Sequence, residues 1–301
     1  MGEISVKGAL TSPAFIRRLE SLHLLARKVL GGRLQAQRRS TRRGSGVAFA
    51  DYAPYYPGDD YRAIDWRVLA RFDALLIKLF EVEEDTTLHL LVDTSRSMTA
   101  KLTRACEVAA ALGYIALHHH ETVALHWMED RLRPALEPGR GRARVWELLR
   151  TLESAEAQGA DTDLLQCARQ LHSRHRRRGL VVVISDFFCP EGYERALSYL
   201  TWAGHEVFCL QLLDPADLTW SWLGDCDLTC VETGSHRRLT ITQGDADRFA
   251  EAIQNWNAGL ERCCKDRQIG LAATDTRAAF DHIVLDLLRR GGLTAATEHR
   301  G

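Results

Sequence analysis

Asp93, Ser95 and Ser97 stand at alternate positions directly after an apolar run that begins at Leu88, so one carboxylate and two hydroxyls leave the end of a single hydrophobic segment. A second apolar run, Leu180 to Ser185, ends on Asp186. Between them, Gly159-Ala-Asp161-Thr162-Asp163 adds a hydroxyl and two carboxylates just before an amphipathic stretch. Oxygen donors of this kind suit a hard divalent cation, Mg²⁺ first and Mn²⁺ or Ca²⁺ by the same chemistry. With Asp93 and Asp186 as the only anions of such a shell, and Asp186 acting through water, an octahedral ion keeps an open position for an incoming carboxylate. The plainer reading is that Asp93 caps the turn after its strand and Ser97 satisfies backbone donors. The matching Thr162 and Asp186 favour the cation.

Other chemistries fit less well. Phosphatases that use a strand-end Asp nucleophile need a second acid two residues on, and that position is Ser95. Neither Ser95 nor Ser97 sits in a Gly-x-Ser-x-Gly turn. The expectation is therefore a binding device, with a metal-dependent phosphate-ester hydrolase and a structural scaffold with an empty site as the alternatives. His118, His119 and His120 are consecutive, so on a helix they point in different directions; they read as a helix end, as do Arg174 to Arg178. Cys226 and Cys230, and the pair Cys263 and Cys264, lack the paired spacing of a zinc site.

These residues need elements to hold them. Ser12-Pro13 predicts a helix start, with Ile16, Leu19, Leu22, Ala26 and Val29 at helical spacing until Gly31-Gly32. Arg38 to Arg43 reads as a basic loop, and residues 51–66 as an ordered loop anchored by Trp66 ahead of a short helix at 66–70. Residues 75–82 read as a strand pairing antiparallel with the Asp93 strand. Beyond it, strands at 122–127, 180–186, 206–213 and 270–273 alternate with helices at 142–152, 164–175, 191–202, 246–267 and 278–289. Residues 228–242 read as a small hairpin. Cys106, Ala109, Ala110, Gly113 and Leu117 form a stripe of mostly small residues that permits close helix–sheet approach. This alternation predicts a doubly wound α/β fold with a mainly parallel sheet.

The ordered set Asp-x-Ser-x-Ser, Thr162, Asp186 resembles the metal-ion-dependent adhesion site of von Willebrand factor A domains. A second block, Tyr52-x-x-Tyr55-Tyr56-Pro57-Gly58-Asp59-Asp60-x-Arg62-x-Ile64-Asp65-Trp66 followed by Ala70-Arg71 and Lys78-x-Phe80-Glu81-x-Glu83, resembles the signature of the bacterial domain of unknown function 58. Ala53 departs from that pattern, standing where an Arg is expected. The resemblance implies a von Willebrand A-like, Rossmann-like domain carrying a metal shell of Asp93, Ser95, Ser97, Thr162 and Asp186. It also implies a MoxR-type AAA+ ATPase as partner, hence an adaptor or co-chaperone role in protein maturation or assembly. The expected division is 1–82 for an N-terminal extension, 83–290 for the A-like domain with its hairpin insertion, and 291–301 for a disordered tail.

The 301 residues are 46% hydrophobic and 26% charged, enough for one large core with an added module. A net charge of −1 provides no global attraction for nucleic acid or an anionic membrane. No basic-flanked apolar leader and no run of roughly 20 apolar residues is present, so a cytoplasmic location and eight reduced cysteines are expected.

Overall fold

The structure is a computed structural model that describes residues 8–30, 39–43, 48–57, 59–83, 87–159, 161–220, 222–232 and 234–290. Helix α1 (Pro13–Leu30) starts as its sequence requires, with the Ser12 hydroxyl accepting from Phe15 N at 3.3 Å and proline at the first helical position. It buries Phe15, Leu19, Leu22 and Ala26, each full burial of a large side chain stabilising by about 1.5–3 kcal/mol. Phe15 meets Phe280 with ring centroids 5.0 Å apart, and Arg18 pairs with Asp281 at 3.0 Å.

Those contacts correct the expected division of the chain. By compactness, the described residues up to 28 group with those from 87 to 290, and the described residues between 29 and 85 form a second unit. Helix α1 belongs to the larger unit because its apolar face packs on the last helix of that unit. The expected tail, 291–301, lies outside the described residues.

In the smaller unit, β1 (Arg39–Arg43), β2 (Ala48–Pro54) and β3 (Leu76–Glu83) form an antiparallel sheet in the order β1-β3-β2. Two expectations fail here. Arg39–Arg43 is a strand rather than a loop, and β3 pairs with β1 and β2 rather than with the Asp93 strand. Charge alone gave no periodic signal for β1; its ladder partners lie about 40 residues away in sequence, at Leu79 to Glu83. Helix α2 (Trp66–Phe72) is capped by Asp65, which accepts from Arg67 N at 3.0 Å and from the Tyr52 hydroxyl at 2.9 Å. Asp59 accepts from Tyr56 N and Asp60 from Arg62 N, both at 2.9 Å. The acids of this block are thus turn and helix caps. Trp66, expected as an anchor, is 60% exposed.

The larger unit is built on a six-stranded sheet. Its strands are β4 (Thr87–Asp93), β5 (Thr122–Met128), β6 (Leu132–Gly139), β7 (Gly179–Ser185), β8 (Glu206–Leu213) and β11 (Gly270–Asp275), in the order β11-β8-β7-β4-β5-β6. All neighbours are parallel except β5 and β6. Strand β6 was not expected; Pro134 and Pro138 disguise it, and prolines are tolerated because it is an edge. Between β8 and β11 come the short helix α7 (Pro215–Leu218) and the hairpin of β9 (Gly224–Thr229) and β10 (His236–Ile241).

Helices cover both faces. On one lie α5 (Leu164–Arg174), α6 (Glu194–Trp202) and part of α8 (Gln243–Asp266), burying Cys167, Leu171, Leu197, Leu200 and Leu260 against Leu91, Val181, Val183 and Cys209. Against the other packs α3 (Leu102–His118), with α4 (Ala143–Glu153) behind it and α9 (Phe280–Arg290) beside it. A Cβ at Gly113 of α3 would come within 2.3 Å of Leu148 on α4 and 3.4 Å of Leu90 on β4, so the tight approach this glycine permits is to the neighbouring helix, with the sheet at ordinary contact distance. The three histidines do end a helix: α3 stops at His118, and His119 caps it. The cysteines are free, with Cys106, Cys167, Cys189, Cys209, Cys263 and Cys264 buried.

Candidate metal centre

The chain leaves β4 toward β5 on one side and returns to β7 on the other, so β4 and β7 flank the point where the strand order reverses. Ligands of open parallel sheets bind outside the carboxyl ends of strands at such a point. Asp93 ends β4, and Asp186 directly follows β7. Both are buried, at 1% and 2% exposure.

Asp93 is the hub. Its Oδ1 accepts from Ser95 N at 3.0 Å and from the Thr162 hydroxyl at 2.9 Å, and its Oδ2 accepts from the Ser185 hydroxyl at 2.6 Å. The Ser95 and Ser97 hydroxyls lie 3.0 Å apart. Burial first, then the neighbouring Asp186 carboxylate, push the Asp93 carboxyl up to about 6, against the hydrogen bonds from Ser185 and Ser95. The loop bearing Thr162 is fixed by Gly159, whose N–H donates to Thr94 O and whose carbonyl accepts from Arg96 N, both at 3.0 Å. A Cβ at Gly159 would stand 3.2 Å from Thr94 O and 3.3 Å from the Ser95 Cα, so glycine lets the two loops lie side by side.

All five residues expected at the site, Asp93, Ser95, Ser97, Thr162 and Asp186, therefore gather at one edge of the sheet. Four others join them unannounced. Ser185, the last residue of β7, orients Asp93. Lys101, just before α3, is 1% exposed and donates from Nζ to Asp186 Oδ2 at 2.7 Å and to Asp217 Oδ2 at 2.8 Å. Burial alone would lower the Lys101 pKa, but Asp186 and Asp217 outweigh it and hold the ammonium above its ordinary value. Glu232, from the β9–β10 turn, accepts from Ser97 N at 2.8 Å and Arg96 N at 3.3 Å, and its carbonyl accepts from the Arg96 guanidinium at 3.2 Å. Ser185 was legible as a polar strand end; Lys101, Asp217 and Glu232 carry no local signal.

The donor set fits a hard cation: one carboxylate held by three donors, and hydroxyls from two loops beside it. Lys101 already occupies one oxygen of Asp186, while Asp186 Oδ1 accepts from Phe188 N at 3.0 Å, so Asp186 is suited to act through water rather than directly.

Sequence comparison finds an uncharacterized protein of Mycobacterium tuberculosis (strain ATCC 25618 / H37Rv) that is 28% identical over 266 residues, 85% of this chain and 83% of the relative. An uncharacterized protein of Mycobacterium avium is 36% identical over 124 residues, covering 40% of this chain and 73% of its own. Among solved structures, the conserved hypothetical protein BatB from Bacteroides thetaiotaomicron matches at a TM-score of 0.41 and 14% identity, over 70% of this chain and 100% of that one. A von Willebrand factor type A protein from Catenulispora acidiphila matches at 0.40 and 10% identity, over 70% and 43%. The family model described as protein of unknown function DUF58 matches residues 51–258, and the chain belongs to that family.

Proposed function

We propose that Asp93, Ser95, Ser97, Thr162 and Asp186 hold a divalent cation, Mg²⁺ or its oxygen-seeking relatives Mn²⁺ and Ca²⁺, and that the protein is a non-enzymatic module that engages a protein partner through it. The observation that carries this reading is the Asp93 carboxylate, held by donors from three separate segments with the paired Ser95 and Ser97 hydroxyls beside it. Bound there, the ion offers a positive site that an Asp or Glu of the partner can neutralise. The chain's own residues orient Asp93, supply neutral oxygens, and pair Asp186 with Lys101. By the family resemblance the partner is a MoxR-type AAA+ ATPase or its client, and the role is that of an adaptor or co-chaperone.

Calorimetric titration with Mg²⁺ tests the site: binding is expected in the wild type and its loss in a folded Asp93→Asn variant. Capture of the ATPase on wild-type protein, lost with chelator and with Asp93→Asn, tests the partner. Unchanged Mg²⁺ affinity in Asp93→Asn overturns the assignment.

Lys101 favours a second reading. Its buried ammonium already neutralises Asp186 and Asp217, as a scaffold that needs no ion would require. Absence of Mg²⁺ binding to the wild type, with a cooperative fold that depends on Lys101, selects that reading.

A further inference from the structure

A second cluster lies on the same face of the sheet, toward the opposite end of the strands. In parallel strands directly opposed residues share a face; His89 is opposite Ala124 and Leu91 opposite His126, so His89 and His126 are diagonal neighbours on one face. That face is the one α5 covers, and His175, the residue that ends α5, turns its ring over them. Ring centroids lie 4.8 Å apart for His89 and His175, and 5.4 Å for His126 and His175. His205, just before β8, stands edge-on to His89 at 6.2 Å.

One nitrogen from each of His89, His126 and His175 falls in a group spanning no more than 4.8 Å. His89 Nδ1 and His126 Nε2 are 3.4 Å apart, long for a hydrogen bond. Two imidazole nitrogens on a tetrahedral ion with bonds of about 2.0–2.1 Å would be separated by roughly 3.3 Å. His89 and His126 are 1% and 0% exposed, and His126 Nδ1 is buried with no hydrogen-bond partner.

We infer that His89, His126 and His175 form a second metal site, distinct from the carboxylate site, which takes a Zn²⁺-type transition-metal dication through three imidazole nitrogens. Neutral nitrogen donors select such ions over Mg²⁺ and Ca²⁺. The first two residues lie on rigid strands in near-final spacing; the half-buried His175, at a helix end, is the one that closes the set. Burial foremost holds all three imidazoles below their ordinary pKa, so they are neutral and ready to ligate at neutral pH. Among nearby charges, Arg174 opposes a cation, and Glu137 of β6 favours one. An ion here ties β4, β5 and the end of α5 together, and its seclusion suits a structural role rather than a catalytic one.

The test is titration of tag-free protein with Zn²⁺, read by competition with a chromophoric chelator and by thermal unfolding. One tight site is expected in both wild type and Asp93→Asn, with a higher melting temperature in each when Zn²⁺ is present. His175→Ala, at a half-buried position, should weaken it by at least about 100-fold, since loss of an outer-shell partner alone costs 10- to 100-fold. His126→Gln should do the same; if that variant does not fold, His175→Ala decides. The thiols contribute equally to all variants. Equal affinity in wild type and the histidine variants, or loss of binding in Asp93→Asn alone, overturns the site. Because Asp93→Asn spares this site and His175→Ala spares the other, failure of one reading is distinguishable from failure of the other.

Discussion

Strand β4 carries a buried ionisable group near each end, and the two are treated in opposite ways. Burial drives both toward neutrality: Asp93 is raised to about 6, and His89, with His126 beside it, is lowered to about 3. At the carboxyl end, Asp93 is met by a backbone N–H and two hydroxyls, and the neighbouring Asp186 by an ammonium. At the histidine end there is one 3.4 Å contact and an orphaned nitrogen. The cause is position along the strand. Past a strand end the backbone amides are free to turn toward a side chain, whereas inside a central strand the sheet ladder consumes them. A buried polar group inside the sheet must find side chains or an ion.

The largest expected effect is acid sensitivity of the metal-free protein. The folded pKa values of about 3 for His89 and His126 lie below the ordinary 6.5, so the unfolded chain takes up these protons first. The stability owed to the neutral imidazoles is fully present above pH 6.5 and is lost as the pH falls toward 3, on the order of 5 kcal/mol for the coupled pair. His175 and His205, also lowered, add in the same direction. Asp93 opposes them. Its folded pKa of about 6 exceeds 3.8, so its contribution is present below pH 3.8 and is lost as the pH rises through 6. Urea midpoints measured in chelator from pH 7 to pH 4 should therefore fall, and fall further in Asp93→Asn. A flat profile would break the contrast between the two ends.

Next in size, Lys101→Met leaves Asp186 and Asp217 without their buried cation and should cost about 3–5 kcal/mol by urea denaturation. A neutral outcome would mean that the acidic end is not compensated by Lys101. Asp93→Ala strands the Ser95 amide and the Thr162 and Ser185 hydroxyls, and a buried donor left unpaired costs about 1–3 kcal/mol. Repulsion from Asp186 is relieved at the same time, so the net loss should sit near the lower value, with Asp93→Asn milder still. The smallest effect belongs to Glu232→Gln. It should change stability by no more than about 0.5–1.5 kcal/mol, yet strengthen capture of a carboxylate-bearing partner, because Glu232 itself sits on Ser97 N. Weaker capture would show instead that Glu232 supports the serine turn.

Much of the carboxyl edge was legible because its signals are local. Apolar runs ending in Asp93 and Asp186 mark strand ends, and the Gly159 loop precedes a helix with Asp163 accepting from Gln166 N. The smaller unit was largely illegible: β1 is a basic segment whose partners are distant, and β3 looked like the natural neighbour of β4. Sequence adjacency favours that pairing, and strand register in another sheet overrode it.

The sequence by itself determined that the sheet is mainly parallel with helices between most strands, and with right-handed crossovers the parallel strands then deliver their carboxyl ends to the same edge. That places Asp93 and Asp186 at one edge with no knowledge of strand order, whereas Thr162 lies in the loop between α4 and α5 and reaches Asp93 only through the tertiary fold. Tertiary structure alone decided the rest. The order β11-β8-β7-β4-β5-β6 sets Ser185 against Asp93, brings Lys101 to Asp186 across 85 residues, and folds Glu232 over Ser97 across 135. The same order makes His126 a neighbour of His89, and the packing of α5 adds His175. His89 and His126 each read as an isolated residue in an apolar run, and His175 as part of a basic helix end. Only neighbouring strands and the helix across them convert three separate positions into one cluster, because side-chain alternation specifies a face and says nothing of which strand lies beside it.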